Sequence, residues 1–262
     1  MEIIYIISGF AVGVLVGLTG VGGGSLMTPL MIFAFNVQPI VAVGTDLLFA
    51  AITKTGGIIS HNRRGTICWN IVGWMALGSL PTAVLTVYVL DNVLTHSPDF
   101  QIDALVNTSL GVALILTAFA LYLKNTIQHS GEGIKKLLPS WKQWRTPVTI
   151  LAGVMLGILV PITSIGAGAF GAAILLFLYP SLPTMRVVGT DLAHAVPLTA
   201  IAGMGHMQMG TVDYTLLAYL LAGSLPGIFI GSHMSTVVPE KVMRPILATM
   251  LLLIGLKFAV FS

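Results

Sequence analysis

Apolar runs alternate with short polar interruptions along the whole chain. They cover residues 3–18, 24–35, 38–60, 66–90 and 102–123, then 147–162, 168–179, 184–205, 211–236 and 242–261, with a polar stretch at 124–145 between the two sets. A helix needs about 20 apolar residues to cross a hydrocarbon core about 30 Å thick, so most of these runs predict membrane-crossing helices. Two interruptions differ in kind. Thr19-Gly20-Val21-Gly22-Gly23-Gly24-Ser25 and Thr163-Ser164-Ile165-Gly166-Ala167-Gly168-Ala169 cluster small residues inside otherwise apolar sequence. Glycine costs roughly 1 kcal/mol relative to alanine in a helix interior, and backbone groups released in lipid must find other partners. The chain is expected to break at both places, leaving N–H groups free to face something.

Composition sets the class. The 262 residues are 56% hydrophobic and 8% charged, with a mean hydropathy of +0.96, whereas soluble domains carry about 25% charged residues. An all-α polytopic membrane protein is expected. The net charge of +3 says little about nucleic acid, and no such partner is expected; the basic residues sit in loops, as orientation signals do. The single cysteine, Cys68, excludes an intrachain disulfide. Met1-Glu2-Ile3-Ile4 has no basic region and no small-residue cleavage site follows, so the first run reads as a retained membrane segment.

The two sets of runs are duplicates. At an offset of 144, Gly13, Leu15, Val16, Thr19, Gly22 and Gly24 meet Gly157, Leu159, Val160, Thr163, Gly166 and Gly168. One insertion moves the offset to 145, and Val43-Gly44-Thr45-Asp46-Leu47 then meets Val188-Gly189-Thr190-Asp191-Leu192. His61 meets His206, Gly65-Thr66 meets Gly210-Thr211, and Gly78-Ser79-Leu80-Pro81 meets Gly223-Ser224-Leu225-Pro226. The expected organisation is a first repeat at 1–123, a basic cytoplasmic linker at 124–145 and a second repeat at 146–262. Tandem halves with matching interruptions are a mark of secondary transporters, whose sites lie at the repeat interface.

If 3–35 crosses once, each half has an even number of crossings and the halves are parallel. If it doubles back, the number is odd and the halves are inverted. Inversion places Arg186, Lys241 and Arg244 on the same side as Arg63, Arg64 and the linker, and so fits the bias of basic residues toward the cytoplasm. Length agrees, since 3–35 as one helix would run about 50 Å.

Within this frame, the donors at Thr19, Gly20, Gly22, Gly23, Gly24 and Ser25, and at Thr163, Ser164, Gly166 and Gly168, are candidates for binding an anion through N–H and hydroxyl groups. The alternative is close helix packing, which is how Gly9, Gly13 and Gly17 read; a change such as Gly9→Ala, away from the breaks, is expected to be tolerated. Thr45 and Thr190 join the substrate-binding set. Asp46 and Asp191 lie within apolar runs, where acids are costly and usually functional. They either carry a coupling proton or accept hydrogen bonds from the breaks. Lys54 either pairs with Asp46 and attracts an anion, or snorkels toward the loop at Arg63. His61 and His206 sit at segment ends and read as structural; His194, one turn after Asp191, is placed to share its proton. The methionines around His206 suggest copper(I) only weakly, and no metal is expected. Ser25 with His61 makes a poor intramembrane hydrolase, because Ala169 replaces the serine in the repeat and no Gly-x-Ser-x-Gly elbow exists.

The stretch from Gly17 to Ser25 with Pro29, Val43-Gly44-Thr45-Asp46, the second Gly-Thr-Asp at 189–191 and the paired Gly-Ser-Leu-Pro segments together resemble the TauE/SafE family of sulfite exporters, over most of the chain. The second half departs from the strict glycine pattern at Ala167 and Ala169. The resemblance implies a secondary transporter of the bacterial cytoplasmic membrane that exports sulfite, sulfoacetate or a related anion, with ion or proton coupling. It implies no enzymatic activity, no cofactor and no ATPase domain on this chain, and it leaves a homodimer open. A passive anion channel is the alternative.

Overall fold

The computed structural model describes residues 2–19, 24–96, 102–137, 141–166, 168–234 and 240–261. They form eleven helices: α1 (Glu2–Thr19), α2 (Gly24–Phe35), α3 (Pro39–Arg63), α4 (Trp69–His96), α5 (Ile102–Tyr122), α6 (Lys124–Leu137), α7 (Trp141–Thr163), α8 (Ala169–Leu178), α9 (Thr184–Gln208), α10 (Tyr214–Met234) and α11 (Glu240–Phe261). Each apolar run becomes one helix. Among the described residues, α3, α4, α5, α7, α9 and α10 are long and apolar enough to cross a membrane. The polar stretch at 124–145 holds more order than its composition advertises: it contains α6 and the first turn of α7. Ile127 and Gly131, one turn apart, lie on one face of α6. Gly131 meets the Phe177 carbonyl there, and Gln128 donates to the Pro180 carbonyl at 3.1 Å.

The chain doubles back between α1 and α2 and between α7 and α8. Tyr5, near the start of α1, packs edge-on against Phe35 at the end of α2, with ring centroids 4.6 Å apart. The equivalent positions in the second half, Thr149 and Tyr179, meet through their hydroxyls at 2.9 Å. The ten residues of α8 rise about 15 Å, roughly half a hydrocarbon core. Its far end, at residue 169, therefore lies well inside the molecule. The second tip is described in detail. Ser164 adopts a left-handed conformation (φ 56°) and Gly166 follows at φ 120°, where a side chain would be strained. The Thr163 hydroxyl donates to the Leu159 carbonyl at 2.8 Å and accepts the Ile165 N–H at 3.1 Å, closing the end of α7.

Glycine lets the long helices touch backbone to backbone. A Cβ on Gly9 or Gly13 of α1 would lie 2.4 or 2.5 Å from the carbonyls of Leu220 and Ser224 in α10. A Cβ on Gly153 or Gly157 of α7 would lie 2.2 or 2.5 Å from those of Met75 and Ser79 in α4. These are equivalent positions at the offsets of 144 and 145, so the two interfaces repeat one another with the halves exchanged. The expectation that Gly9→Ala is harmless is therefore wrong: Gly9 has a carbonyl where the methyl group would go. Outward, Leu77, Val84, Leu85, Phe229 and Leu253 are among many large apolar side chains left exposed, as a lipid-facing surface requires.

Arg145 and Arg186 line one cavity together with Ile67, Cys68 and Trp69, which follow Arg63 and Arg64 in the chain. The linker helix packs on the end of α8 at this same face.

Two predictions follow from this packing. In a Cys68→Ser background, cysteines at 63 and 186 should share one accessibility to a membrane-impermeant maleimide in intact cells, with the opposite result at 92. Labelling at 186 without labelling at 63 would contradict the doubled-back arrangement. Gly223→Ala puts a methyl group 1.9 Å from the Ile6 carbonyl and should cost about 1–3 kcal/mol, read as a lower melting temperature in detergent. Gly73→Ala, with nothing within 4 Å, should melt at or above the wild-type temperature.

Candidate functional site

Each residue of the duplicated Gly-Thr-Asp motif has its own task, and two of the three tasks serve the opposite half. α3 and α9 both end in a Schellman motif. Gly65 (φ 65°) and Gly210 (φ 70°) occupy the left-handed position, and Thr66 and Thr211 return their N–H groups to the carbonyls of His61 and His206 at 3.1 and 3.0 Å. Each threonine hydroxyl also meets the Nδ1 of its histidine at 2.8 Å. The His61 ring then sits on Gly189, and the His206 ring on Gly44; a Cβ at either glycine would lie 2.7 or 2.9 Å from the ring. Thr190 accepts the N–H of Cys68, the residue capping α4, at 3.0 Å. Thr45 accepts the N–H of Asp213, the residue capping α10, also at 3.0 Å. Asp213 in turn caps its own helix by accepting the Leu216 N–H at 2.9 Å. Glycine seats the partner histidine, and threonine caps the partner helix. The result is a pair of equivalent latches joining the halves.

The third residue faces inward. The buried Asp46 accepts a 2.5 Å hydrogen bond from Thr28 of α2 through Oδ2. The Ser164 hydroxyl, from the tip between α7 and α8, is close to the same carboxylate without completing a hydrogen bond. In the second half Ala172 stands where Thr28 does, and Asp191 packs with Oδ1 against Gly171 of α8. Lys54, 5% exposed, is within Coulombic reach of both carboxylates. His194 places Nε2 2.7 Å from the Ser79 hydroxyl. Asp46 Oδ1, Asp191 Oδ1, Ser164 Oγ and His194 Nδ1 are buried and have no hydrogen-bond partner among the described residues. Buried polar atoms left in this state are costly, the more so within apolar segments. No group of three or more metal-ligating side chains occurs among the described residues.

The sulfite exporter TauE/SafE family model matches residues 5–258. The chain belongs to that family. It is 38% identical to the probable membrane transporter protein YjnA of Bacillus subtilis, over 98% of this chain and 99% of the relative. It is 42% identical to the probable membrane transporter protein YunE of the same organism, over 97% and 95%. The probable membrane transporter protein MJ0441 of Methanocaldococcus jannaschii is 26% identical over 96% and 92%. No solved structure matches. The protein is accordingly a multi-pass membrane transporter.

For this TauE/SafE chain the expected site residues divide into four groups. Asp46, Asp191, Lys54 and Ser164 come together in the central cluster. Thr45 and Thr190 commit their hydroxyls to the latches, and Thr163 commits its hydroxyl to closing its own helix. Gly166 and Gly168 form the second tip, where their carbonyls accept the N–H groups of Gly171 and Ala172 in the first turn of α8, both at 2.8 Å. Gly20, Gly22 and Gly23 lie outside the described residues, as do the side chains of Thr19 and Ser25; Gly24 opens α2. Thr28 and Ser79 were not singled out from the sequence. Thr28 had a signal, being the one hydroxyl in α2 after Ser25. Ser79 lay in a recognised duplicate, but nothing local said that it faced His194.

Removing one latch hydroxyl leaves a helix-capping N–H without its partner. Thr45→Val and Thr190→Val should each lower stability by about 1–3 kcal/mol, seen as a lower melting temperature, while Thr45→Ser should restore most of the loss.

Proposed function

We propose that the protein exports a small sulfur-containing anion, sulfite or an organosulfonate, across the cytoplasmic membrane through the central cluster, and that protons are coupled to the movement. The observation that supports this best is the set of unpartnered buried atoms on Ser164, Asp46, Asp191 and His194 beside Lys54, where the second tip meets α3 and α9. A desolvated anion needs donors to replace water; the Ser164 hydroxyl and the Lys54 ammonium are of the right kind. With both carboxylates and the lysine ionised, the cluster carries one net negative charge. An incoming anion makes this worse, so anion binding and proton uptake favour each other. Asp191 is the better placed to take the proton, because Ala172 cannot supply the hydroxyl that Thr28 gives Asp46.

The doubled-back helix pairs give each half three further crossings, and hence inverted repeats at 1–123 and 146–262 joined by the basic linker. The two latches then lie on opposite faces, and opening one at a time exposes the cluster to one side. Accumulation against a gradient distinguishes this from a passive channel.

Proteoliposomes should take up sulfite or sulfoacetate, from a panel with sulfate, thiosulfate and taurine, faster under a pH gradient that supplies protons with the anion. Asp191→Asn should keep the fold and abolish the dependence on pH. If Asp191→Asn leaves the pH-driven component intact, Asp191 is structural. If no member of the panel moves, the substrate class is wrong.

A further inference from the structure

A cavity of about 630 Å³ opens on the linker face, between the start of α4, the start of α7 and the connection from α8 to α9. Arg145 and Arg186 line it, with Tyr179, Trp69 and Asn70. The Arg145 guanidinium lies 4.5 Å from the centroid of the Tyr179 ring, and that ring is itself anchored through its hydroxyl to Thr149. Stacking of this kind holds a guanidinium in place without using its hydrogen-bond donors. Cys68, also in the lining, is the residue whose N–H is held by Thr190. Thr190 adjoins Asp191, so one latch stands between this cavity and the central cluster.

The duplication supplies an internal comparison. At the related positions of the other half, Met1 stands for Arg145, Val41 for Arg186, Tyr214 for Trp69 and Asp213 for Cys68. The frame repeats, but the two arginines do not, and an acid takes the place of the cysteine. Orientation alone accounts for basic residues somewhere on this face, as at Arg63 and Arg64. It does not account for two of them converging on one cavity with an aromatic wall.

We propose that this vestibule binds an organic oxyanion, a sulfonate or carboxylate on a short carbon chain, before it passes the latch into the central cluster. Guanidinium groups match the paired oxygens of such headgroups. The volume lies in the range of about 300–1,000 Å³ that holds small organic ligands, and the Tyr179 and Trp69 rings give the carbon chain an apolar wall. Because the arginines occupy one face only, the anion is captured at lower concentration from that face, while the gradients of anion and proton set the net direction. The inference rests on the proposed anion-transport reading but can fail separately from it.

The test uses the full-length protein in nanodiscs of zwitterionic lipid, titrated with sulfoacetate and followed by tryptophan fluorescence, since Trp69 and Trp74 line the cavity, and by calorimetry. Saturable quenching is expected. Arg145→Gln and Arg186→Gln should each weaken it about tenfold or more, the double variant should abolish it, and Arg186→Lys should fall between. Arg64→Gln, on the same face but outside the cavity, should stay within about twofold of wild type. An unchanged Kd in a double variant that melts at the wild-type temperature overturns the proposal. So does a tryptophan response that appears only with anionic lipid and that sulfoacetate cannot displace, which would make the cavity a lipid-headgroup site. Transport is measured in parallel. Arginine-dependent binding without transport of any panel member would sink the transport reading alone. Wild-type transport with an unchanged KM in the double variant would sink the vestibule alone.

Discussion

A helix interrupted inside a bilayer exposes peptide groups that hydrocarbon cannot solvate, and such an interruption survives only where protein surrounds it. Everything else in this chain is arranged to meet that condition. The two interrupted pairs, α1 with α2 and α7 with α8, are held by intact helices drawn to backbone contact through glycine. A shield at that distance is possible because Gly9, Gly13, Gly153 and Gly157 have no side chains to hold the helices apart. Among the described residues, lipid then meets apolar flanks on α1, α3, α4, α5, α7, α9, α10 and α11, and the polar Ser164 of the second tip meets Asp46.

The frame is duplicated but its centre is not. Latches, Schellman motifs and glycine seats repeat almost atom for atom at offsets of 144 and 145. The centre departs from the pattern wherever chemistry is concentrated. Thr28 stands opposite Ala172, Lys54 opposite Thr199, Phe49 opposite His194, and Gly20 opposite Ser164. A duplicated scaffold can move between two equivalent arrangements, while an asymmetric centre can hold one guest and one set of charges. The conflict is local: Thr28, Lys54, Phe49 and their counterparts lie on α2, α3, α8 and α9, Ser164 lies in the second tip, and the latches stay intact.

The course of the chain was legible in the sequence because it depends on run length and hydropathy, and each run became one helix with ends displaced by a few residues. The duplication was legible because both copies keep the residues that special backbone geometry demands. The direction of the side chains was not. Thr45 and Thr190 sit beside acids in the chain and looked like ligands, but they cap helices from the other half, a relation across 168 and 122 residues. Gly9 looked like ordinary packing, and only the position of Leu220 shows how little room it has. Helix α6 was hidden by its polarity, since a helix lying along a protein surface needs only a narrow apolar stripe. The approach of Ser164 to Asp46 joins two segments whose separation along the chain carries no pairing signal in a single sequence.

The crossed capping bonds also bear on how the protein is made. While the first half is inserting, the Cys68 N–H at the start of α4 has no acceptor from Thr190, because α9 has not yet been synthesised, and the Thr45 hydroxyl waits for a helix more than a hundred residues away. The first half therefore enters the bilayer with its best-ordered junction unfinished. It becomes complete only when the second half supplies the missing acceptor and takes the offered one. Fusing the halves into one polypeptide guarantees that every newly made first half meets its complement at once, at a ratio of one to one, before an exposed tip can be captured by another chain.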